Sequence, residues 1–309
     1  MSENLQLLST HYSWVPLIFF FYLGACLGSF FNVCIHRIPE GRSVVKPGSR
    51  CMCGAPIAWF DNFPVISWFL LRGKARCCGQ PFTIRYPFIE LLTGAFFLLS
   101  WWLFGHSNPA FALGVMILCG TLIPAVFIDL DHMVIPDVFS IGGAVIGVFF
   151  SLFFPALHGI AGSGIVAGFF GGMESVLGLL VGSATIYWIG ALGEMALRKE
   201  AMGEGDVKFL GCIGAFCGWQ GALCSIFGGA FVGTVLLLPI LLYQKIRGPL
   251  NPEDKPASGD DGESIAFGMH VPFGPLLAVG ALLYVFIAQE MIDSYFSGIW
   301  QTFHELAGH

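Results

Sequence analysis

The chain has 309 residues, of which 56% are hydrophobic and only 11% charged, with a net charge of -6. A water-soluble protein carries about 25% charged residues, so a soluble globular domain is excluded. The 31 Phe read as lipid-facing or core filler, and no nucleic-acid platform is expected. Apolar runs of about 20 residues recur along the chain, long enough to cross the hydrocarbon core as helices. They are continuous and do not alternate, so of the two structures that satisfy their backbone in lipid, helices are predicted and a barrel is not.

The first apolar run covers 14–35. No basic segment precedes it and an Arg-rich loop follows, so a retained first transmembrane helix is predicted and a cleaved signal peptide is not. A polar loop occupies 36–85. Further spans are predicted at 86–104, 109–128, 138–155, 172–192, 207–225, 226–243 and 271–289. The expected fold is an all-α polytopic membrane protein of about eight transmembrane helices, with a Cys-containing loop between the first and second. The Gly-rich stretch 156–174, with Glu174, fits a loop, an interfacial helix or the start of the fifth span. Residues 244–270 contain NPEDKPASGDDGES, which cannot bury apolar area and reads as a mobile loop. With that loop included, 86–289 form the membrane domain and 290–309 a short outer tail. No internal repeat suggests the duplicated halves of a transporter.

Charge sets the orientation. With the N-terminus outside, the inner segments are 36–85, 129–137, 193–206 and 244–270. All 14 Lys and Arg then lie inside or at the inner boundary, where Lys208 stands at the start of the sixth span. This is the positive-inside pattern.

Acidic residues collect at the same boundary. The third span ends in FIDLDHMVIPD, with Asp129, Asp131 and Asp137, and AMGEGDVKFLG precedes the sixth, with Glu204 and Asp206. Asp131, Asp137 and Glu204 read equally well as ordinary loop charges. Asp129 and Asp206 directly abut apolar helices, where a carboxylate is costly unless paired, hydrated or used. Two carboxylates in one partly dry site divide a proton, so that one accepts from water while the other donates to a peptide group. That is aspartyl proteolysis, and it needs neither metal nor cofactor. Gly203 and Gly205 suit a tight turn and close backbone approach to a substrate strand.

Several ordered motifs resemble the type IV prepilin peptidases, a family of GxGD membrane aspartyl proteases. They are GSFFNVCIHRIP (28–39), DNFPVISWFLLRG (61–73), RYPFIELLTG (85–94), IDLDHMVIPD (128–137), GEGDVKFLGCIGAFCGW (203–219) and VPFGPLLAVGA (271–281). The resemblance implies that Asp129 and Asp206 form the catalytic pair, with Asp131, Asp137, Gly203, Gly205 and Lys208 supporting. It implies a substrate class, prepilin or pseudopilin precursors, whose basic leader is removed at the cytoplasmic face of the bacterial inner membrane. Acidic side chains at that face would attract such a leader. It further implies S-adenosylmethionine-dependent methylation of the new N-terminus, for which Glu90 is a candidate. A helix-start carboxylate satisfied by local amides is the equal alternative for Glu90.

Six of the ten Cys lie in apolar runs and read as buried filler. Cys51, Cys53, Cys77 and Cys78 share the polar loop and suggest a tetrahedral structural zinc. The family resemblance implies two CxxC pairs here. This chain has CxC and an adjacent pair, with Ala75 where a first Cys would stand. Adjacent ligands are expected to strain the backbone, and reduced thiols without metal are the competing reading. Three other functions are weighed against the peptidase: a GxGD peptidase for another membrane substrate without methylation, an inactive assembly scaffold, and a transporter. The gathering of acids at one face argues against the last.

Overall fold

A computed structural model describes residues 14–51, 53–162, 164–198, 202–247 and 272–307. Helix α1 is Trp14–Arg37, α2 the short Ile66–Leu70, α3 Arg85–Phe104, α4 Pro109–His132, α5 Asp137–Phe153 and α6 Ile165–Leu197. Then come α7, Glu204–Arg247, broken at Gly218, and α8, Gly274–Leu283, which runs through a π turn into α9, Gln289–Ala307. The described residues form an all-α membrane protein. Six helices are long and apolar enough to cross a bilayer, and Asp137–Phe153 is a shorter apolar helix of 17 residues.

Helix α4 is the hub, buried along most of its length. Its start is specified locally. The Asn108 side chain accepts from the Phe111 amide at 3.0 Å, and Pro109 occupies the first turn, where no amide partner is needed. The same Asn108 donates to the Ala156 carbonyl at 2.8 Å, fixing the loop after α5. At its other end Met133 adopts a left-handed conformation and its amide returns to the Asp129 carbonyl at 2.9 Å. Pro136 then prevents the helix from resuming before α5.

Glycine seams let the helices approach closely, as expected where lipid offers no hydrophobic drive for association. A Cβ on Gly178 of α6 would lie 2.1 Å from the Gly214 carbonyl oxygen of α7. One on Gly24 of α1 would lie 2.8 Å from the Thr93 carbonyl oxygen of α3.

The chain reverses inside α7. Gly218 has φ 68°, ψ -179°, outside helical space. A Cβ on Gly182 would meet both the Leu210 carbonyl oxygen at 2.9 Å and the Ala222 Cβ at 3.2 Å. In one continuous helix those two residues would stand about 18 Å apart, at about 1.5 Å per residue. So 204–217 and 219–247 are antiparallel arms. The turn placed near 225–226 by hydropathy falls at Gly218, whose positive φ breaks the helix.

Residues 156–174 resolve into a 3₁₀ turn, Pro155–His158, a glycine-rich link with Gly162 and Gly164 at positive φ, and the first turns of α6. Residues 290–307 continue the last helix. Residues 244–247 close α7, whereas the remainder of the polar loop to 270 lies outside the described residues, as do Lys199 and Lys255.

Candidate active site

One end of the bundle gathers the chemistry. Asp129, in the last turn of α4, is 6% exposed, and its buried Oδ2 has no hydrogen-bond partner among the described residues. Asp206 is in the first turn of α7, half-buried, with its amide bonded to the Gly203 carbonyl at 3.2 Å. Asp206 lies in the same locale as Asp129, 77 positions away in the chain, because the turn that carries it packs against Ile135, six residues after Asp129. Ile135 is the piece between them. It is buried, and a Cβ on Gly205 would come within 3.3 Å of its Cβ. The GEGD turn therefore lies against the short segment that links α4 to α5, and a side chain at 205 would wedge the two apart.

A third element closes the site. The start of α8 faces Asp129, where a Cβ on Gly274 would fall 2.5 Å from Asp129 Oδ2 and 2.9 Å from Ile135 Cδ1. Neither Gly274 nor Ile135 was singled out from sequence. The VPFGP string was the available signal for the first, and burial of an isolated Ile in a polar motif left none for the second.

The other acids have different partners. Asp131 takes a two-toothed bond from Arg85, at 2.8 Å from Nη1 and 2.6 Å from Nη2. Asp137 is paired with Lys208 at 3.0 Å across the starts of α5 and α7. That pair is largely exposed, where such bridges contribute at most about 1 kcal/mol. Glu204 and His132 are exposed.

Across the same end, the loop 36–85 folds over α1 and α3 around a cavity of about 940 Å³. Ser29, Asn32, Asp61, Trp68, Tyr86 and Glu90 are among its lining residues. Glu90 Oε2 accepts the Val65 amide at 2.7 Å and so holds a residue at φ 63°. Asn32 donates to the carbonyls of Gly28 at 3.3 Å and Tyr86 at 3.1 Å, tying α1 to α3. Asp61 is engaged by Arg76 through Nε and Nη2.

The four loop cysteines converge. Cys51 and Cys78 sulfurs are 3.5 Å apart, those of Cys53 and Cys77 3.4 Å, and all four lie within 4.8 Å of one another. Each pair sits on a tight turn, closed by Cys51 N–H to Ala55 O at 2.9 Å and by Ala75 N–H to Gln80 O at 2.8 Å, with Gly54 and Gly79 at positive φ. The backbone strain expected of adjacent ligands does not take the form of a positive φ at Cys77 or Cys78. A zinc–sulfur bond of about 2.3 Å puts tetrahedral sulfurs about 3.8 Å apart, so the donor set fits that ion. A hydrogen bond from the Cys53 amide, helped by Cys77, draws the Cys51 thiol down to about 7. Hydrogen bonding with Cys51 and Cys53 pushes Cys77 up to about 12.

The described residues form a helical multi-pass membrane protein whose acidic residues gather at one bundle end, and that is its class. The bacterial peptidase A24 N-terminal domain matches residues 22–104, and the type IV leader peptidase family matches 116–238. The chain belongs to the prepilin leader peptidase/N-methyltransferase family. It is 35% identical over 243 residues to the protein of that name from Myxococcus xanthus, covering 78% of this chain and 68% of the relative. It is 36% identical over 233 residues to that of Klebsiella pneumoniae, covering 71% and 94%. For that of Xanthomonas campestris pv. campestris the identity is 30% over 306 residues, covering 90% and 94%. No solved structure matches the chain.

Proposed function

We propose that Asp129 and Asp206 are the catalytic pair of an intramembrane aspartic peptidase that removes the leader from type IV prepilins or pseudopilins. Intramembrane cleavage of prepilin-type leaders is the activity that family membership supports. The observation that carries the residue assignment is the packing of the Asp206 turn, the end of α4 and the start of α8 around Ile135, which gathers two carboxylates at one end of the bundle, one of them with a buried, unpartnered oxygen. One carboxylate takes a proton from water as the oxygen attacks the scissile carbonyl. The other, carrying the shared proton, protonates the carbonyl oxygen. Collapse of the tetrahedral diol returns that proton, and the leaving amine takes one from the carboxyl protonated in the first step. Gly203 leaves room for an extended substrate backbone beside the pair, while Gly205 and Gly274 let the surrounding segments close on it.

The bundle crosses the membrane eight times, counting the short α5 and the two arms of α7 as separate spans. The carboxylate end faces the cytoplasm, since the basic residues gather there. A substrate helix in the bilayer then presents its basic leader to this end. The new N-terminus is methylated using the loop cavity, whose volume suits a ligand of S-adenosylmethionine size. Glu90 and Asn32 shape its floor. S-adenosylmethionine supplies the methyl group when bound. Cys51, Cys53, Cys77 and Cys78 hold a structural zinc that braces the loop.

The test is cleavage of a co-reconstituted prepilin by the parent, Asp129→Asn and Asp206→Asn. Each swap keeps size and removes the titrating group. Cleavage is expected from the parent alone, and cleavage by both variants would sink the aspartyl mechanism.

A further inference from the structure

The two family matches divide the chain between 104 and 116, and Arg85 makes polar contacts across them at the candidate site. Arg85, in the first unit, is gripped by Asp131, in the second, with the two-toothed geometry that a guanidinium fork makes with a carboxylate. Two further features fix Arg85. Its Nη2 donates to the Phe127 carbonyl at 3.3 Å and its guanidinium lies 5.1 Å from the Phe127 ring centre, while its buried Nε has no hydrogen-bond partner among the described residues. The two side chains are about one-third exposed, at 30% and 31%. Arg85 is flanked by Thr83 and Tyr86, which line the loop cavity. Asp131 is two residues from Asp129 on the last turn of α4.

The geometry points to the Arg85–Asp131 fork as a positioning pair that locks the loop cavity to the cleavage centre. Asp131 then acts on the centre through Arg85, which donates to both of its oxygens. Without the fork, the final turn of α4 loses its polar tie to α3, and the Asp129 carboxylate loses its fixed direction. The inference rests on the peptidase reading for its kinetic consequences and on the ion pair alone for its structural ones.

The test is a double-mutant cycle in the full-length reconstituted protein: Arg85→Gln, Asp131→Asn and both together. Each single change is expected to lower kcat for prepilin cleavage about tenfold or more, with little change in KM. The double variant should be no worse than the poorer single, since the two residues act as one unit. Arg85→Lys, which keeps the charge but not the fork, should fall between parent and Arg85→Gln. Methylation of the released product should fall further than cleavage. A raised KM with unchanged kcat in Asp131→Asn, relieved by a leader stripped of Lys and Arg, would make Asp131 a leader-reading residue and overturn the proposal. So would multiplicative losses in the double variant, or full activity in Arg85→Lys. The same cycle is read on the unfolding midpoint, which needs no substrate. A non-additive midpoint shift with a parent that cleaves no precursor retires the peptidase reading and keeps the fork, whereas additive shifts overturn the fork whatever the activity.

Discussion

Gly274→Ala tests whether the start of α8 is part of the catalytic geometry. The added Cβ would sit 2.5 Å from Asp129 Oδ2 and 3.3 Å from its Cγ. To reach ordinary contact the carboxylate must retreat by about 1 Å, and a misplacement of that size costs about 100-fold in rate. That is about 2.7 kcal/mol on the barrier. Overpacking also lowers stability by about 1–3 kcal/mol, so rate and fold must be read separately. Gly280→Ala supplies the comparison. On the same helix, its Cβ would press 2.2 Å from the Ser225 carbonyl oxygen, at a position away from Asp129. The assay is steady-state cleavage of a reconstituted prepilin, normalised to folded protein, beside thermal unfolding of both variants. Gly274→Ala should lose kcat with KM near parental, while Gly280→Ala should lose stability and keep kcat per folded molecule. Equal kcat losses in the two, or an unchanged kcat in folded Gly274→Ala, would refute the placement of Asp129 under α8.

The cysteine cluster predicts a metal content that Cys51→Ser lowers, with loop order and methylation falling more than cleavage; equal metal in parent and variant, by elemental analysis, would refute it. Metal binding requires thiolates, so zinc affinity should fall as pH drops through about 7, where the depressed Cys51 thiolate is reprotonated, and should rise toward alkaline pH as the elevated Cys77 ionises. Glu90→Gln retains an oxygen that can accept the Val65 amide, so it should keep the loop folded and cleavage intact while methylation of the product drops; methylation at the parental rate would leave Glu90 as an anchor only. Gly178→Ala places a methyl 2.1 Å from a backbone oxygen, a clash that no rotamer relieves, and should cost about 3 kcal/mol or more, read as a lower unfolding midpoint and folded yield.

The membrane class, the helical content and the end of the bundle where acids collect were all legible in the sequence, because hydropathy and the cost of charge in lipid act on residues one at a time. The break at Gly218 was legible only as a glycine among many, since a glycine at a turn and a glycine in a packing seam look alike in sequence. For the same reason the boundary between the two arms of α7 was misplaced by about seven residues. Asp129 and Asp206 were identified as a pair by their depth and by the strings around them. Gly274 and Ile135, which hold them together, went unremarked, because close approach is a property of four separate segments and not of any one. The four loop cysteines suggested a common metal centre although their spacing departs from two CxxC pairs, and two tight turns bring all four sulfurs within 4.8 Å. Likewise Asp131 read as one acid in an acidic string. Its commitment to Arg85 across 46 residues depended on how α3 and α4 pack, a long-range arrangement that local patterns of charge and hydropathy do not encode.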